Sequence, residues 1–282
     1  MSNLIRLGVA AAAIVALAVP LAASAHGGKR TADEHRTLYA TDLGGNLLRF
    51  DARSPRHVRS KPITGLPAGV SLRGIDFRPA TGDLYALGSD RVVYRVNVAT
   101  AIAVGEGPAF ESTPNALNSQ NVGFDFNPTV DKIRVTSDAD DNIRLNPDEG
   151  NLLSKDTGLT STPASDVMVV GSAYTNSSFT ATKPTATELY ALDVGPSPDR
   201  LWIQRPANAG TLIMPMRLDF DLGRDAGFDI AGSSNVGYVA GTDAGRRNAE
   251  LWRVDLATGK TRSLGRIGDG RTITGLAAWQ DQ

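Results

Sequence analysis

A repeated block of short strand-like segments constrains the fold of this chain more than any other feature. The block is clearest where Gly123–Pro128 precedes two alternating runs, Lys132–Ser137 and Asn142–Asn146. An earlier copy opens at Gly74 and a later one at Gly227. The first two of these glycines are 49 residues apart (123 − 74). A repeat of that length, made of several short strands, is typical of a β-propeller blade.

Five pairs of adjacent strand segments follow this pattern. In four of the five, the second segment has the order apolar, Arg, apolar, Asp or Asn, and a turn follows it. The pairs are Leu38–Thr41 with Asn46–Asp51, Asp83–Leu87 with Val92–Asn97, Ile133–Ser137 with Asn142–Asn146, Leu189–Leu192 with Arg200–Gln204, and Val236–Ala240 with Glu250–Asp255. The opening strand of the fourth unit is predicted at Val167–Asn176. Five units predict five blades.

The two ends of the repeat predict a closed ring. No opening strand precedes the first pair, because Leu38 lies close to the start of the predicted fold, whereas a spare opening strand, Gly275–Trp279, lies at the C-terminus. We predict an all-β, five-bladed β-propeller in which this C-terminal strand closes the N-terminal blade. Closure removes the exposed edges of an open sheet. An open β-solenoid is the alternative, but it does not explain the displaced strand.

The N-terminus has the pattern of a signal peptide. Arg6 supplies a positive charge, Leu7–Ala18 is apolar, and Ala23–Ala25 is a small-residue cleavage site. The apolar run is shorter than the roughly 20 residues of a membrane-spanning helix, so we expect cleavage and a secreted or periplasmic protein. The expected organisation is a signal peptide at 1–25, a polar disordered leader at 26–36 and a single propeller domain at 37–282.

Composition argues against several classes of partner. The formal net charge is −1, with no long basic run, which argues against nucleic acid or an anionic membrane. The absence of cysteine excludes disulfides and a lipid-modified cysteine. We therefore expect a monomer without membrane insertion after signal cleavage, stabilised by its core.

At the repeat residues the chain resembles a bacterial family, domain of unknown function 4394. The resemblance covers roughly Thr37–Trp279, and Gly123–Asn146 is its most specific segment. The matching segments are Gly74–Leu87, Gly123–Asp148, Ala173–Asn176, Gln204–Leu212 and Gly227–Ile230. The resemblance implies an exported, propeller-like protein and supplies no activity or catalytic residues.

Candidate ligand-binding residues cluster where a propeller would have its channel mouth: Asp42, Asp76, Asp125, Asn176 and Asp229. In the opening strands, a ring of carboxylates could bind a cation in the channel. Alternatively, each carboxylate packs against the neighbouring blade and accepts backbone N–H groups there. We favour the second interpretation, since Asn176 and Ala277 or Ala278 stand at about this place in the other two blades and leave the ring incomplete.

A second acidic stretch is spaced like a calcium loop. Counting from Asp138, Asp140 and Asn142 fall at the third and fifth positions and Glu149 at the twelfth. The sixth position, which requires glycine in an EF-hand, is Ile143. We therefore predict a hairpin tip with a solvated acidic cluster and no cofactor, with a calcium site at Asp138, Asp140 and Asn142 as the alternative.

Two functional hypotheses remain. The only histidines are His26, His35 and His57, and no Gly-x-Ser-x-Gly motif is present, so histidine-based catalysis is not expected. The favoured hypothesis is an exported, non-catalytic propeller that binds a protein, glycan or envelope component through its rim or channel mouth. The alternative is a glycoside hydrolase-like enzyme that uses channel carboxylates. The Ser- and Thr-rich segment Asn176–Thr187 is either a tolerated surface insertion or a rim contact to a ligand.

Overall fold

Five small sheets around one axis make up the described part of the protein. The computed structural model describes residues 36–110, 116–180, 182–232 and 234–279, all within the compact unit His35–Gln282. Every sheet has an antiparallel core of four strands, which confirms the predicted five-bladed β-propeller. The predicted signal peptide, and the predicted leader apart from Arg36, lie outside the described residues. Within the described ranges, no helix is long and apolar enough to cross a membrane.

The first three blades follow the chain in order. Blade 1 begins with β1 (Thr37–Asp42), β2 (Asn46–Asp51) and β3 (Arg59–Pro62). Blade 2 contains β4 (Leu72–Phe77), β5 (Leu84–Gly88), β6 (Val93–Val96) and β7 (Ala103–Gly105). Blade 3 contains β8 (Val122–Asn127), β9 (Lys132–Ser137), β10 (Asn142–Leu145) and β11 (Leu152–Lys155). The predicted strand pairs form the two middle strands of blades 2 and 3.

The last two blades complete the ring. Blade 4 contains β12 (Thr160–Ser161), β13 (Val169–Tyr174), β14 (Leu189–Asp193), β15 (Arg200–Gln204), a 3-10 turn (Ala207–Ala209) and β16 (Thr211–Arg217). Blade 5 contains β17 (Leu222–Ala231), β18 (Val236–Asp243), β19 (Glu250–Val254) and β20 (Thr261–Arg266). The final strand, β21 (Ile273–Ala278), belongs to blade 1. The two-residue strand β12 adds to blade 4 in parallel beside β16.

The C-terminal strand closes the N-terminal blade, as the sequence predicts. Strand β21 pairs antiparallel with β1, with Ala278 opposite Leu38 and Gly275 opposite Thr41. Just beyond the strand, the Trp279 N–H donates to the Thr37 carbonyl oxygen at 2.8 Å. All six residues of β21 are buried. The ends of the fold are therefore joined by a strand ladder and by core packing.

Five glycines, one in each innermost strand, bring these strands into close contact around the axis: Gly74, Gly123, Gly171, Gly227 and Gly275. A Cβ placed on Gly123 would lie 2.4 Å from the backbone nitrogen of Ser172 in the next blade. A Cβ on Gly227 would lie 2.6 Å from the backbone nitrogen of Leu276. Backbone atoms of a packed strand cannot retreat from such contacts, so glycine is required there.

Candidate functional site

Three aspartates from three blades meet at the centre of the propeller. Asp76 in β4, Asp125 in β8 and Asp229 in β17 each lie two residues after an innermost-strand glycine. Each is only 2% exposed. One carboxylate oxygen from each lies within 4.8 Å of those of the other two. Among the described residues, no other group of three acidic or histidine side chains is close enough to share a metal ion.

Each of these carboxylates accepts a hydrogen bond from a backbone N–H of the following blade. Asp76 accepts from Phe126 at 2.8 Å, Asp125 from Tyr174 at 3.1 Å and Asp229 from Ala278 at 2.5 Å. Asp76 and Asp229 use their second oxygen to accept from the N–H of the next residue in their own strand, at 2.6 Å in both cases. The three side chains thus link blade 2 to 3, blade 3 to 4 and blade 5 to 1.

Burial of three acidic groups together changes their protonation. Loss of hydration raises the pKa of all three carboxyls, and the pKa of Asp229 rises to about 7. The negative charges of Asp76 and Asp229 further raise the pKa of Asp125. The negative charge of Asp229 likewise raises the pKa of Asp76. Burial and mutual repulsion therefore both favour protonation within this cluster.

The other two blades lack this carboxylate. Ala173 and Ala277 stand two residues after Gly171 and Gly275, in the places of the aspartates. The alignment of Asn176 with the aspartates is therefore wrong. Asn176 follows β13 in an exposed turn with a φ of 61°, and its N–H donates to the Asn235 side chain at 2.8 Å.

The fifth candidate, Asp42, has different partners from the three central aspartates. It lies at the end of β1, where its carboxylate accepts from the Asn46 N–H at 2.9 Å. It also forms an ion pair with Arg271 at 2.6 Å. Asp42 therefore fixes the first hairpin to the segment that leads into β21.

The stretch spaced like a calcium loop forms a hairpin tip between β9 and β10, but its acidic side chains are not a solvated cluster. Asp138 is bonded to Asn121 and Arg224, both at 3.0 Å. Asp141 is buried and accepts from the Asn118 N–H at 2.7 Å. Asp140 is exposed and has a φ of 61°. The expectation of a solvated cluster fails because neighbouring loops supply donors to Asp138 and Asp141.

Asn142, the third candidate calcium ligand, belongs instead to a polar network between blades 3 and 4 that sequence reasoning missed. The buried Arg134 guanidinium donates to Asn142 at 2.7 Å, to Asp156 at 2.6 Å and to Asn208 of blade 4 at 2.6 Å. Burial opposes ionisation of Asp156, but Arg144 and Arg134 hold the pKa of its carboxyl below the usual value. The only sign of this network in the sequence is that Arg134 stands between two apolar residues in a predicted central strand.

Among the described residues, the central axis has little free space at either end. Where the innermost strands begin, the cavity lined by Arg73, Asn121 and Arg224 has a volume of about 10 Å³, room for about one water molecule. Where they end, Phe179 packs against Phe77 and Trp279, with ring centroids 6.1 and 5.2 Å apart. Phe179 therefore reaches across the axis from blade 4 to blades 1 and 2.

A much larger cavity lies between blades 4 and 5. This groove has a volume of about 650 Å³, within the range of small-molecule sites. Blade 4 contributes Thr175 and Tyr190, and blade 5 contributes Arg253, Lys260 and Arg262 among others. None of these residues was a candidate from the sequence, because they come from separate segments; Arg253 belongs to the repeated strand pattern, which indicates a strand and not a site.

Comparison with known proteins adds a family and several distant folds. The family model described as "Domain of unknown function (DUF4394)" matches residues 46–277. A comparison with curated proteins gives no match.

The similar solved structures are remote. Kuenenia stuttgartiensis hydrazine synthase is 15% identical with a TM-score of 0.43, covering 72% of this chain and 51% of its own. TolB from Acinetobacter baumannii is 12% identical with a TM-score of 0.45, covering 82% and 53%. A structure described as a glycoside hydrolase is 13% identical with a TM-score of 0.48, covering 83% and 60%. The chain thus spans little more than half of these proteins, and the similarities are too distant to bear on function.

Proposed function

Since the chain belongs to the domain of unknown function 4394 family, whose description names no activity, we propose a function from the geometry. The protein is an exported, non-catalytic propeller that binds a glycan or another envelope component. Its ligand enters the groove between blades 4 and 5 rather than the central channel.

One contrast carries this proposal: the described residues leave little space at the central axis, while the lateral groove is large and open. The three central carboxylates are 2% exposed and bonded to backbone N–H groups of neighbouring blades. The groove offers about 650 Å³ between two blades. A ligand of several sugar units fits such a space, and the described residues leave no cavity of comparable size at the axis.

The hydrolase hypothesis receives no support from the central carboxylates. A glycosidase needs two carboxyl groups that flank a sugar, about 5–9.5 Å apart and open to the substrate. Here Asp76 and Asp229 have both oxygens bonded to backbone N–H groups. A sugar could reach them only if the innermost strands separated.

Export is part of the proposal. The apolar run and the Ala23–Ala25 site favour cleavage before His26. N-terminal sequencing of the protein from its native host should return His26 as the first residue, in a secreted or periplasmic fraction. An intact Met1 in a membrane fraction would overturn this part of the proposal.

The site is tested by blocking the groove. Ala257 is exposed on the groove wall, in a turn where Asp255 accepts from the Ala257 N–H at 3.0 Å. Ala257→Trp should fill part of the groove without disturbing the core, and should abolish binding to any glycan that the wild-type protein retains on a glycan array. The control is Ala99→Trp in blade 2, where Asn97 accepts from the Ala99 N–H at 2.9 Å in the matching turn. Equal binding by both variants and the wild type, or no retained glycan, would contradict the proposal.

A further inference from the structure

We infer that the outer surface of blades 1 and 5 binds a polymer that carries phosphate groups. This surface, called the basic strip below, consists of six exposed cations: Arg49, Arg56, Arg59, Arg247, Lys260 and Arg262. The basic strip goes beyond the proposed function, because it is a second surface. It meets the groove between blades 4 and 5 only at Lys260 and Arg262.

Charge is unevenly distributed along the chain. Two segments, 36–62 in blade 1 and 246–272 in blade 5, contain 13 Lys and Arg residues and five Asp and Glu residues. Residues 63–245 contain 13 Lys and Arg residues but 22 Asp and Glu residues. The formal net charge of −1 therefore combines a positive sector, formed by the two segments, with a larger region in which acidic residues prevail. A surface of one sign attracts ligands of the opposite sign.

The two segments of the positive sector meet in the folded ring. The Gly268 N–H donates to the Pro55 carbonyl oxygen at 3.2 Å, so the connection after β20 touches the turn that carries Arg56. The turn before β19 lies against the same connection, because Asn248 contacts Gly270. The cations of blade 5 and those of blade 1 therefore belong to one continuous surface.

The basic strip is not neutralised by its own segments. None of its six cations has a hydrogen-bond or ion-pair partner among the described residues. The five carboxylates of the positive sector are bonded elsewhere: Asp42 to Arg271, Asp51 to the Arg53 N–H, Glu250 to Arg246, Asp255 to N–H groups of its own turn and to the charge of Arg253, and Asp269 to Arg266. The positive charge of the strip is therefore available to a ligand.

Blade 1 also lacks the carboxylate that neutralises the matching arginine of two other blades. In blade 2, Arg95 forms an ion pair with Glu106 at 2.8 Å, and the equivalent arginine of blade 3 is paired in the same way. In blade 1, the equivalent Arg49 lies directly opposite Arg59 of β3, a strand without acidic residues. Like charges directly opposite each other destabilise a sheet, and a bound anion would remove this repulsion.

The Arg49–Arg59 pair fits a phosphate better than a carboxylate. A phosphate monoester has a charge of about −1.5 to −2 at neutral pH and three acceptor oxygens. Each guanidinium carries one positive charge and can donate two parallel hydrogen bonds to an anion. A carboxylate has a single charge and two oxygens, which one arginine fork occupies. Phosphate is therefore the anion that both arginines can bind at once.

The extent and composition of the basic strip suit a polymer. The six residues of β20 alone span roughly 20 Å at about 3.4 Å per residue, so a single small anion does not reach the whole strip. Membrane-surface binding combines cations with apolar side chains that enter the lipid. Among the described residues of the positive sector, the only exposed large apolar side chain is Leu43. A polymer with repeated phosphates contacts several of the cations and requires no apolar anchor.

The test is isothermal titration of the mature chain with three polymers on one backbone. These are dextran phosphate, carboxymethyl dextran with the same number of charged groups, and unmodified dextran. We expect dextran phosphate to bind and carboxymethyl dextran to bind at least about tenfold more weakly. Unmodified dextran should not bind, and added salt should weaken the binding of dextran phosphate.

Charge reversal locates the polymer on the strip. Arg59→Glu places a carboxylate opposite Arg49, so the variant should melt no lower than the wild type and should bind dextran phosphate at least about tenfold more weakly. The control is Arg217→Glu, which makes the same change of charge at an exposed arginine opposite Arg200 in blade 4. This control and the groove variant Ala257→Trp should both leave the binding of dextran phosphate unchanged.

Several outcomes would overturn the inference. These are no binding of dextran phosphate, equal binding of carboxymethyl dextran, wild-type binding by Arg59→Glu, and an equal loss in Arg59→Glu and Arg217→Glu, which would show a response to net charge alone. Tighter binding to phosphatidic acid vesicles than to dextran phosphate, at equal phosphate concentration, would assign the strip to a membrane surface instead. In each case, a glycan that the wild type retains and Ala257→Trp does not retain leaves the proposed function intact.

Discussion

The three central aspartates are equally buried, but they differ in the number of backbone N–H groups from which they accept hydrogen bonds. Asp76 and Asp229 accept a backbone N–H with each oxygen, so both oxygens must act as acceptors. Asp125 accepts one backbone N–H, from Tyr174, and the nearby charges of Asp76 and Asp229 raise its pKa. A proton on the other Asp125 oxygen would displace no backbone bond among the described residues.

Replacement of Asp125 or Asp229 by asparagine, which cannot ionise, distinguishes these two kinds of aspartate. Asp125→Asn should be tolerated, with a change in unfolding free energy below about 1 kcal/mol, because the amide oxygen can accept from Tyr174 and a neutral side chain is not repelled by Asp76 and Asp229. Asp229→Asn should cost about 1–3 kcal/mol, since its NH₂ would face the N–H of Ile230 or Ala278. Urea denaturation at neutral pH measures both. Equal losses in the two variants would contradict this difference between Asp125 and Asp229.

The raised pKa values also predict an unusual pH dependence. Asp199 is buried, and burial raises its pKa to about 7, as it does for Asp229. Unfolded aspartate has a pKa near 4, so between these values the native state holds protons that the unfolded state has lost. Stability is therefore greatest at the acidic end of this window and falls as pH rises through about 7, by at most about 1.4 kcal/mol per pH unit for each group. Urea melts between about pH 5 and pH 8 measure this slope.

Asp199→Asn provides the control for the pH experiment. One Asp199 oxygen accepts from the Leu222 N–H at 2.7 Å, and the other has no hydrogen-bond partner among the described residues. The amide can keep the first bond and cannot ionise, so the variant should lose stability less steeply as pH rises. A wild-type stability that increases from pH 5 to pH 8 would show that ionisation of these carboxyls is not penalised in the folded protein.

At the scale of an element, the β9–β10 hairpin illustrates how a loop gains its order from neighbouring loops. Asp141→Asn should cost about 1–3 kcal/mol of unfolding free energy. One Asp141 oxygen accepts from the Asn118 N–H and the Ser137 hydroxyl, and the other accepts from the Asn118 side-chain amide, so the new NH₂ would face a donor. Asp140→Asn should be neutral or slightly stabilising, since Asp140 is exposed at a φ of 61°, a conformation that asparagine tolerates well. Thermal melts with and without calcium compare the two. A calcium-dependent stabilisation lost in both variants would restore the metal interpretation.

The elements that the sequence predicts are those whose residues repeat an inward-facing pattern. The middle strand pairs and the closing strand have buried apolar residues at regular spacing, and each lies close to its predicted range. The outermost strands were not identified, because an edge strand has little buried surface; all four residues of β3, for example, are exposed. The packing of Phe179 across the axis depends on residues about 100 positions away in sequence (179 − 77 and 279 − 179), and no local pattern encodes it.

The candidate site was less predictable than the fold, because its residues are brought together by contacts between blades that no local pattern encodes. A Gly-x-Asp motif located the three central aspartates, but their hydrogen bonds to the next blade require the ring geometry. The fourth blade has Ala173 in that position, and only the register of Gly171 reveals it. The groove is assembled from two blades by residues that are unremarkable in isolation.

At the scale of the whole molecule, one strand determines whether the ring exists. Ile273 and Leu276 of β21 are buried, and burying each such side chain contributes on the order of 1.5–3 kcal/mol. The Ala278 N–H completes the bonding of Asp229. Removal of β21 would also expose the edge of β1 and the contact face of Gly227. These losses are comparable with the typical net stability of a domain, about 5–15 kcal/mol.

Deletion of residues 273–282 should therefore leave a chain that unfolds or aggregates. A circular permutant should rescue it, because the Trp279 N–H is bonded to the Thr37 carbonyl oxygen and a short Asn-Gly turn can join β21 directly to β1. New termini fit between Ala68 and Gly69, which are exposed in the connection between β3 and β4. The permutant should fold and melt cooperatively near the wild-type temperature, since its four-strand blade 1 becomes continuous in sequence. Circular dichroism recorded during heating compares the melting of the full chain, the deletion variant and the circular permutant. If the deletion variant melts like the full chain, β21 is dispensable and ring closure does not stabilise the fold.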